Sequence, residues 1–379
     1  MDKVTINSQF DAGSIEIIDI ENINRLRLRI RNDTNSKFAQ WFYFQVNLDK
    51  IQNVGFVIEN IDKTAYPQGW DGYRVFFSYD NQNWQRLDTK LETNNLIFNI
   101  DSKYKTIFFS YFEPYSYLRH QNLISKVNIS NVGIHSVLGK TKQGRNIDLL
   151  ILGTHQSKNK IWIIARQHPG ETMAEWFMEG LILKLLDSHD KVAIKLLQDS
   201  VFYLVPNMNP DGSVLGNLRV NFDGVNLNRE WNNYSNGNSP EVYYVRKKML
   251  EVGVDMFFDI HGDEAIPFVF TAGCDENKSF SDKQRELEKR FTTLFKCVNP
   301  DFQTEVGYER NQFGVEFESM ATNWVGNQFD CLALTLEMPF KDNNNFPDEN
   351  FGWNAKRSIL LGQSLISTIN LFYNQLIKV

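Results

Sequence analysis

The sequence reads as an α/β domain, a mixed sheet with helices on both faces, preceded by an all-β antiparallel sandwich. Three observations predict this. Residues 5–112 fall into short alternating runs, recurring at about ten-residue intervals and broken by Asn, Asp and Gly. Further on, compact apolar runs alternate with helical periodicities, as expected of strands joined by crossover helices. Four of those later strands run out into polar residues, His168, Asn207, His261 and Glu337.

The sandwich is assigned to residues 1–115 and the α/β domain to residues 116–379. In the first, SIEIIDI, RLRLRIR, WFYFQVNL, VGFVIEN, YRVFFSYD, NLIFNI and KTIFFSYF read as strands. Arg25 to Ile30 alternates strictly with period two and reads as a sheet with one solvated face rather than as a basic binding surface. No catalytic constellation stands out here. Tyr111 to Tyr117, YFEPYSY, is rich in aromatics where the sheet pattern gives out, and reads as a junction packed against the next domain.

In the second domain, GRNIDLLILG and KIWIIARQ read as adjacent strands. The stretch IWIIARQHPGE stops at Pro169-Gly170, a turn pair bracketed by His168 and Glu171. Met173, Phe177, Gly180, Leu181 and Lys184 then recur at helical spacing, placing a helix over about Thr172 to Asp187. Val201 to Val205 is the next strand. Ser239-Pro240-Glu241 opens a helix, with Ser as cap, Pro in the first position and an acid in the first turn, and Gly253 closes it. Val254 to Ile260 is a strand with His261-Gly262 at its end. Ser281 to Lys296 is a charged amphipathic helix, Cys331 to Leu336 a last short strand, and Asn354 to Ile377 a long closing helix.

Composition narrows the function. The formal net charge of −6 leaves no basic excess to neutralise phosphates, so nucleic acid is not expected as the main partner. Cys274, Cys297 and Cys331 fit neither a disulfide framework nor a paired-cysteine zinc knuckle. The start, MDKVTINSQFDAGSIEII, lacks the basic and apolar regions of a signal peptide. No run approaches about eighteen consecutive apolar residues, so no membrane span is expected. A reducing cytoplasm is the expected address.

Sites in open α/β sheets form at the carboxyl ends of strands, and the polar strand endings mark the chain as an enzyme. Of the six histidines, His120, His135, His155 and His189 lie in polar or loop-like stretches and read as incidental. His168 and His261 end apolar strands, where a buried imidazole needs a partner. With Glu171 they make a three-ligand zinc set that keeps a fourth position for water. Such a zinc ion turns water into a nucleophile near neutral pH and polarises a carbonyl. Glu337, following a buried strand, is the candidate to move the proton. Asp259 either orients a ligand histidine or faces solvent. The loop NPDGSVLGNLRVNFDGVNLNREW offers Arg219 and Arg229, flanked by Asn228. One guanidinium suits a carboxylate and a second a developing oxyanion. Together these residues specify an amide hydrolase that reads a free carboxylate beside the scissile bond.

HPGE, NPDG, GNLR, NLNREW, DIHG and TLEMPF occur in the order found in zinc carboxypeptidases of the carboxypeptidase A type. DIHGDE, TLEMPF and YFEPYSY resemble more closely the cytosolic carboxypeptidase subfamily and its bacterial members, and the resemblance covers nearly the whole chain. It implies a zinc metallocarboxypeptidase acting on a peptide or protein C-terminus. His168, Glu171 and His261 match the zinc ligands, and Arg219 the group that polarises the scissile carbonyl. Asn228 and Arg229 match the grip on the terminal carboxylate, and Glu337 the general base. The substrate-capping tyrosine has no clear motif match, and Tyr308 is the candidate. Asn226 stands where much of the wider family has an aspartate supporting a zinc histidine. Residues 321–324, ATNW, carry no base where the eukaryotic deglutamylases have one, so a preference for C-terminal glutamate is not implied. Two rival readings share some of these residues: a zinc deacylase of small N-acyl amino acids, whose extra β domain is C-terminal, and a catalytically silent peptide-binding module, against which Glu337 stands.

Overall fold

The computed structural model describes residues 4–154 and 156–376. The alternating runs of the first third form β1 (Val4–Asn7), β2 (Glu16–Asp19), β3 (Leu26–Arg29), β4 (Tyr43–Leu48), β5 (Asn53–Ile58), β6 (Val75–Ser78), β7 (Gln85–Leu87), β8 (Thr89–Glu92), β9 (Asn95–Asp101) and β10 (Thr106–Ser110). They build two five-stranded sheets, ordered β1-β4-β10-β6-β7 and β2-β3-β5-β9-β8. Neighbours are antiparallel except β3 and β5, which run parallel. Rings from both sheets interdigitate: Phe109 lies 5.4 Å from Phe44 within its own sheet and 4.7 Å from Phe56 across the gap. The period-two stretch buries Leu26 and Leu28 and turns Arg27 and Arg29 outward beside Glu59. The aromatic junction packs as expected, with Tyr111 stacked on Phe340 at 4.6 Å and Tyr115 edge-on to Trp176 at 4.9 Å.

After the junction comes α1 (Tyr117–Asn128), capped by Ser116, whose hydroxyl accepts from the Arg119 N–H at 3.1 Å. The remaining strands are β11 (Gly133–Lys140), β12 (Asn146–Gly153), β13 (Asn159–Ala165), β14 (Ser200–Val205), β15 (Met256–Asp263), β16 (Phe270–Ala272) and β17 (Leu332–Pro339). They form one mixed sheet, ordered β11-β12-β14-β13-β15-β17-β16, in which β14, β13, β15 and β17 are parallel. The helices are α2 (Met173–Leu186), α3 (Lys191–Asp199), α4 (Pro210–Leu215), α5 (Pro240–Val252), α6 (Asp282–Val298), α7 (Ala321–Phe329) and α8 (Ala355–Leu376). Central strand β13 is covered on both faces. Ile161, Ile163 and Ala165 share a core with Phe177 of α2 and Leu365 of α8, while Trp162 and Ile164 share one with Val242 of α5 and Val325 of α7. Double-sided burial is why its sequence is a continuous apolar run and not an alternation. Helices α2 and α8 cross at backbone contact: a Cβ on Gly180 would fall 2.2 Å from the Ile359 carbonyl oxygen, and one on Gly362 2.1 Å from that of Phe177.

Four expectations need correction. Strands β12 and β13 are not neighbours, because β14 lies between them. At the end of β12, Gly153 takes φ +99° and the Thr154 N–H donates to the Ser200 carbonyl at 3.1 Å, so the chain crosses the start of β14 on its way to β13 instead of closing a hairpin. His261 and Glu337 lie inside β15 and β17, which run on to Asp263 and Pro339. The Ser239 hydroxyl does not cap α5, and stands 3.3 Å from a Glu230 carboxylate oxygen. Finally, His120 is not in a loop-like setting: it is buried in α1, with Nδ1 2.6 Å from Glu175 and Nε2 3.1 Å from Asp148. The same carboxylates also meet His135 and Arg166, both at 2.6 Å. His189 is exposed, and His155 and Ile377 lie outside the described residues. Within those residues all three cysteines are free.

Burial alone would lower the His120 pKa, but Glu175 and Asp148 outweigh it and raise it to about 9. An unfolded histidine titrates near 6.5. The charged ring therefore contributes its full stability below about pH 6.5 and loses it as pH climbs through 9. Denaturant unfolding at pH 6.5 and pH 9 should show a loss on the order of 2 kcal/mol that is absent in His120→Gln.

Candidate active site

The site begins where β13 stops. Arg166 adopts φ +59°, a conformation that costs a non-glycine residue about 1 to 3 kcal/mol and persists only where its surroundings hold it. Here they do. Its buried guanidinium donates to the Pro169 carbonyl at 2.9 Å, the Tyr115 carbonyl at 3.0 Å and Glu175 at 2.6 Å. The chain is thereby thrown off the sheet axis, and the Pro169-Gly170 turn presents His168 and Glu171 together at the strand's carboxyl end. The Gly170 N–H donates to the Leu218 carbonyl at 2.8 Å, tying that turn to the arginine-bearing loop.

From β15, His261 completes the cluster. Donor atoms of His168, Glu171 and His261 all lie within 4.8 Å of one another, and all three residues are buried. Glu171 sits between the rings, with Oε1 2.6 Å from His168 Nδ1 and Oε2 2.8 Å from His261 Nδ1. Burial would raise its pKa, but the two imidazoles outweigh that and hold it below the usual carboxylate range. Each ring's other nitrogen is also engaged. His261 Nε2 lies 2.9 Å from Asp259 Oδ2, and the same oxygen accepts from the Gln167 amide at 2.6 Å. The Trp231 indole N–H anchors Gln167 in turn at 2.9 Å. His168 Nε2 lies 3.1 Å from Asn226 Oδ1, so the amide at that position still offers an acceptor. Two imidazoles and a carboxylate, with Nδ1 atoms turned inward and Nε2 atoms held from behind, are a donor set that fits zinc. Of the two readings of Asp259, the structure has the buried one.

The register of β15 and β17 pairs His261 with Glu337. Glu337 Oε1 lies 2.8 Å from the Tyr308 hydroxyl, which is also 3.1 Å from Asp263 Oδ2, while Glu337 Oε2 is buried without a partner among the described residues. Burial pushes the Glu337 carboxyl well above its ordinary range. Asn228 and Arg229 lie on a 3-10 turn, Leu227–Arg229. The Asn228 side chain accepts from the Ala321 N–H at 2.9 Å, and Arg229 donates to the Asn228 carbonyl at 2.8 Å and to Glu316 at 2.6 Å. Burial and the neighbouring Arg219 push the Arg229 pKa down, against the opposing pull of Glu316. Arg219, Asn228, Arg229, Tyr308 and Glu337 line one pocket with His168, Glu171 and His261. Asn207 stays out of it: its amide donates to Glu175 and Ser213, both at 3.1 Å, beneath the site. Sequence reasoning missed Tyr66 and Gln68, which reach the pocket from the first domain, and Thr335 on its far wall, where Asn323 of the ATNW stretch also lies. Tyr66 and Gln68 flank Pro67 in a short turn with no periodicity, so nothing local sets them apart.

Comparison with known proteins agrees in both halves. A family described as the cytosolic carboxypeptidase N-terminal domain matches residues 6–112, and one described as zinc carboxypeptidase matches residues 123–351. Cytosolic carboxypeptidase 6 of Caenorhabditis elegans is 27% identical over 367 residues, covering 89% of this chain and 79% of the relative. The crystal structure of a metallo-carboxypeptidase from Burkholderia cenocepacia superposes with a TM-score of 0.96 at 43% identity, covering 99% and 100% of the two chains. A metallo-carboxypeptidase from Pseudomonas aeruginosa, solved in complex with (2-guanidinoethylmercapto)succinic acid, gives 0.93 at 41% identity and 98% and 100% coverage.

Substituting Asp259→Asn should keep the fold and weaken zinc binding by about 10- to 100-fold, because the carboxylate holds the His261 ring in its orientation. Competition against a chromophoric chelator measures this, and unchanged affinity would remove Asp259 from that role.

Proposed function

We propose that this chain, which belongs to the zinc carboxypeptidase family and is a metallocarboxypeptidase, holds zinc between His168, Glu171 and His261 and removes the last residue of a peptide or protein tail. One observation carries the reading: a buried His-Glu-His cluster shares its pocket with a carboxyl lacking a partner on one oxygen and with two guanidinium groups. Bound there, zinc supplies an acidified water and a Lewis acid for the scissile carbonyl.

The chain's own residues do the rest. Asn228 and Arg229 grip the substrate's terminal carboxylate, which fixes the last peptide bond over the ligand cluster. Arg219 donates to the carbonyl oxygen as negative charge develops on it, a contribution of about 3 kcal/mol for donors of this kind. Glu337 takes the proton of the attacking water on Oε2 and passes it to the leaving amine. Burial, which raises its affinity for a proton, makes it the stronger base in the first half of that task. Tyr308, against Oε1, holds the carboxyl in one orientation. The succinic acid derivative bound by the Pseudomonas aeruginosa relative supports a site built for carboxylates. The cytoplasm is the compartment we assign, in keeping with the name of the Caenorhabditis elegans relative. No helix among the described residues is long and apolar enough to cross a membrane.

Peptides with a free C-terminus should be cleaved at least about a hundredfold faster than their amidated counterparts, and equal rates would remove Arg229 from the carboxylate grip. Glu337→Gln should retain its zinc, measured by metal analysis, and lose turnover by about a thousandfold or more.

A further inference from the structure

The first domain reaches further into the site than its two pocket-lining residues. Between β3 and β4, the loop 31–38 docks on the loop 214–224 that carries Arg219. Asp33 is buried at this contact. One oxygen of its carboxylate accepts from the Leu218 N–H at 2.7 Å, and the other from the Arg219 N–H at 2.7 Å and the Val220 N–H at 3.3 Å. Successive N–H groups turned to one side form a concave anion-binding nest. Here the anion is a side chain supplied by the other domain. The neighbours reinforce it. Arg31 donates to the Leu215 carbonyl at 2.5 Å, and Asn35 to that of Phe222 at 2.9 Å. The Thr34 N–H and hydroxyl both donate to Asn217 Oδ1, at 2.9 and 3.0 Å.

The Arg219 side chain is held from the same direction. Its guanidinium carbon lies 5.6 Å from the centre of the Phe38 ring and 5.5 Å from that of Tyr66, both in the first domain. Among the described residues the guanidinium makes no hydrogen bond and no ion pair within the protein. Aromatic faces attract a cation without consuming its N–H donors. The donors therefore stay available to a substrate carbonyl.

We propose that Asp33 is a positioning residue for catalysis: it fixes the backbone of Arg219 from across the domain boundary, and with the Phe38 ring it aims the guanidinium at the scissile carbonyl. The sandwich is on this view part of the catalytic apparatus. The inference rests on the role given to Arg219 above. Misplacing a group by about 1 Å can cost on the order of a hundredfold in rate. Such a cost falls on kcat, because the carbonyl contact strengthens only as charge develops, and the terminal carboxylate is gripped by a different turn.

The test uses the full-length zinc-loaded enzyme and a peptide substrate, comparing the natural protein with Asp33→Asn, Arg219→Gln and the double variant. An asparagine keeps one acceptor oxygen and turns an NH2 towards the nest, so the loop must shift. Asp33→Asn should lower kcat by about 10- to 100-fold, with KM within about twofold and zinc content unchanged. Once Arg219 is glutamine, the same change should cost less than about twofold further, because its effect runs through a group no longer present. Phe38→Leu, at a half-buried position, should lower kcat by several-fold with the same dependence on Arg219, and it carries the test if Asp33→Asn does not fold. An equal cost in both backgrounds, a raised KM at unchanged kcat, or a natural kcat in both Asp33→Asn and Phe38→Leu would overturn the proposal. A natural kcat in Arg219→Gln would instead sink the role assigned to that arginine.

Discussion

A carboxylate buried between two imidazoles is the constraint on which the rest of the structure depends. Removing Glu171, His168 and His261 from water is unfavourable unless each polar atom finds a partner, and His261 must be brought in from a strand 90 residues beyond the turn that carries the other two. The fold meets that demand in layers. Glu171 spans both rings through Nδ1, and Asp259 and Asn226 take up the opposite nitrogens. Behind Asp259, Gln167 and Trp231 leave the His261 ring little freedom to tilt.

A second polar network lies beneath and has a different purpose. His135, Asp148, His120, Glu175 and Arg166 run from the outer strands to the turn that carries His168. Its last member adopts the left-handed conformation that breaks β13 and swings His168 and Glu171 over the sheet end. A chain of paired charges is an expensive way to stabilise a core, since apolar packing does it as well. It makes sense as the device that holds a strained turn in place. A conformational cost is concentrated at the turn that carries His168 and Glu171 and is offset by fixed hydrogen bonds.

The first domain belongs in the same account. Tyr66 and Gln68 line the pocket, Asp33 fills a nest in the arginine-bearing loop, and Tyr111 stacks on Phe340 just past the β17 strand end. Arg86 adds bonds at 2.7 Å to the Phe340 carbonyl and 3.0 Å to that of Trp353. The two halves meet through specific polar contacts and buried rings, so the site is assembled by both.

Much of this was legible in the letters, for local reasons. Strand, Pro-Gly turn and helix around His168 follow from apolar runs and turn chemistry, and the ligand types follow from which residues stand at strand ends. The pairing β12-β14-β13 was not legible, because a periodicity does not say which strand lies beside which, and α1 went unread because its apolar stripe is weak. His120 looked incidental because its two carboxylate partners are 28 and 55 residues away. Asp259 stood open between two roles until packing buried it against His261. Asp33 and Tyr66 left no trace, since their meaning lies wholly in what they touch across a domain boundary. By itself, then, the chain's order of residues determined the elements and the chemistry they carry, since periodicity, turn preference and ligand type are properties of neighbours in sequence. Tertiary structure alone decided the β15–β17 register that sets His261 against Glu337, and the docking that brings Asp33 to Arg219. Both depend on which surfaces exclude water together, a property of distant residues that no local pattern encodes.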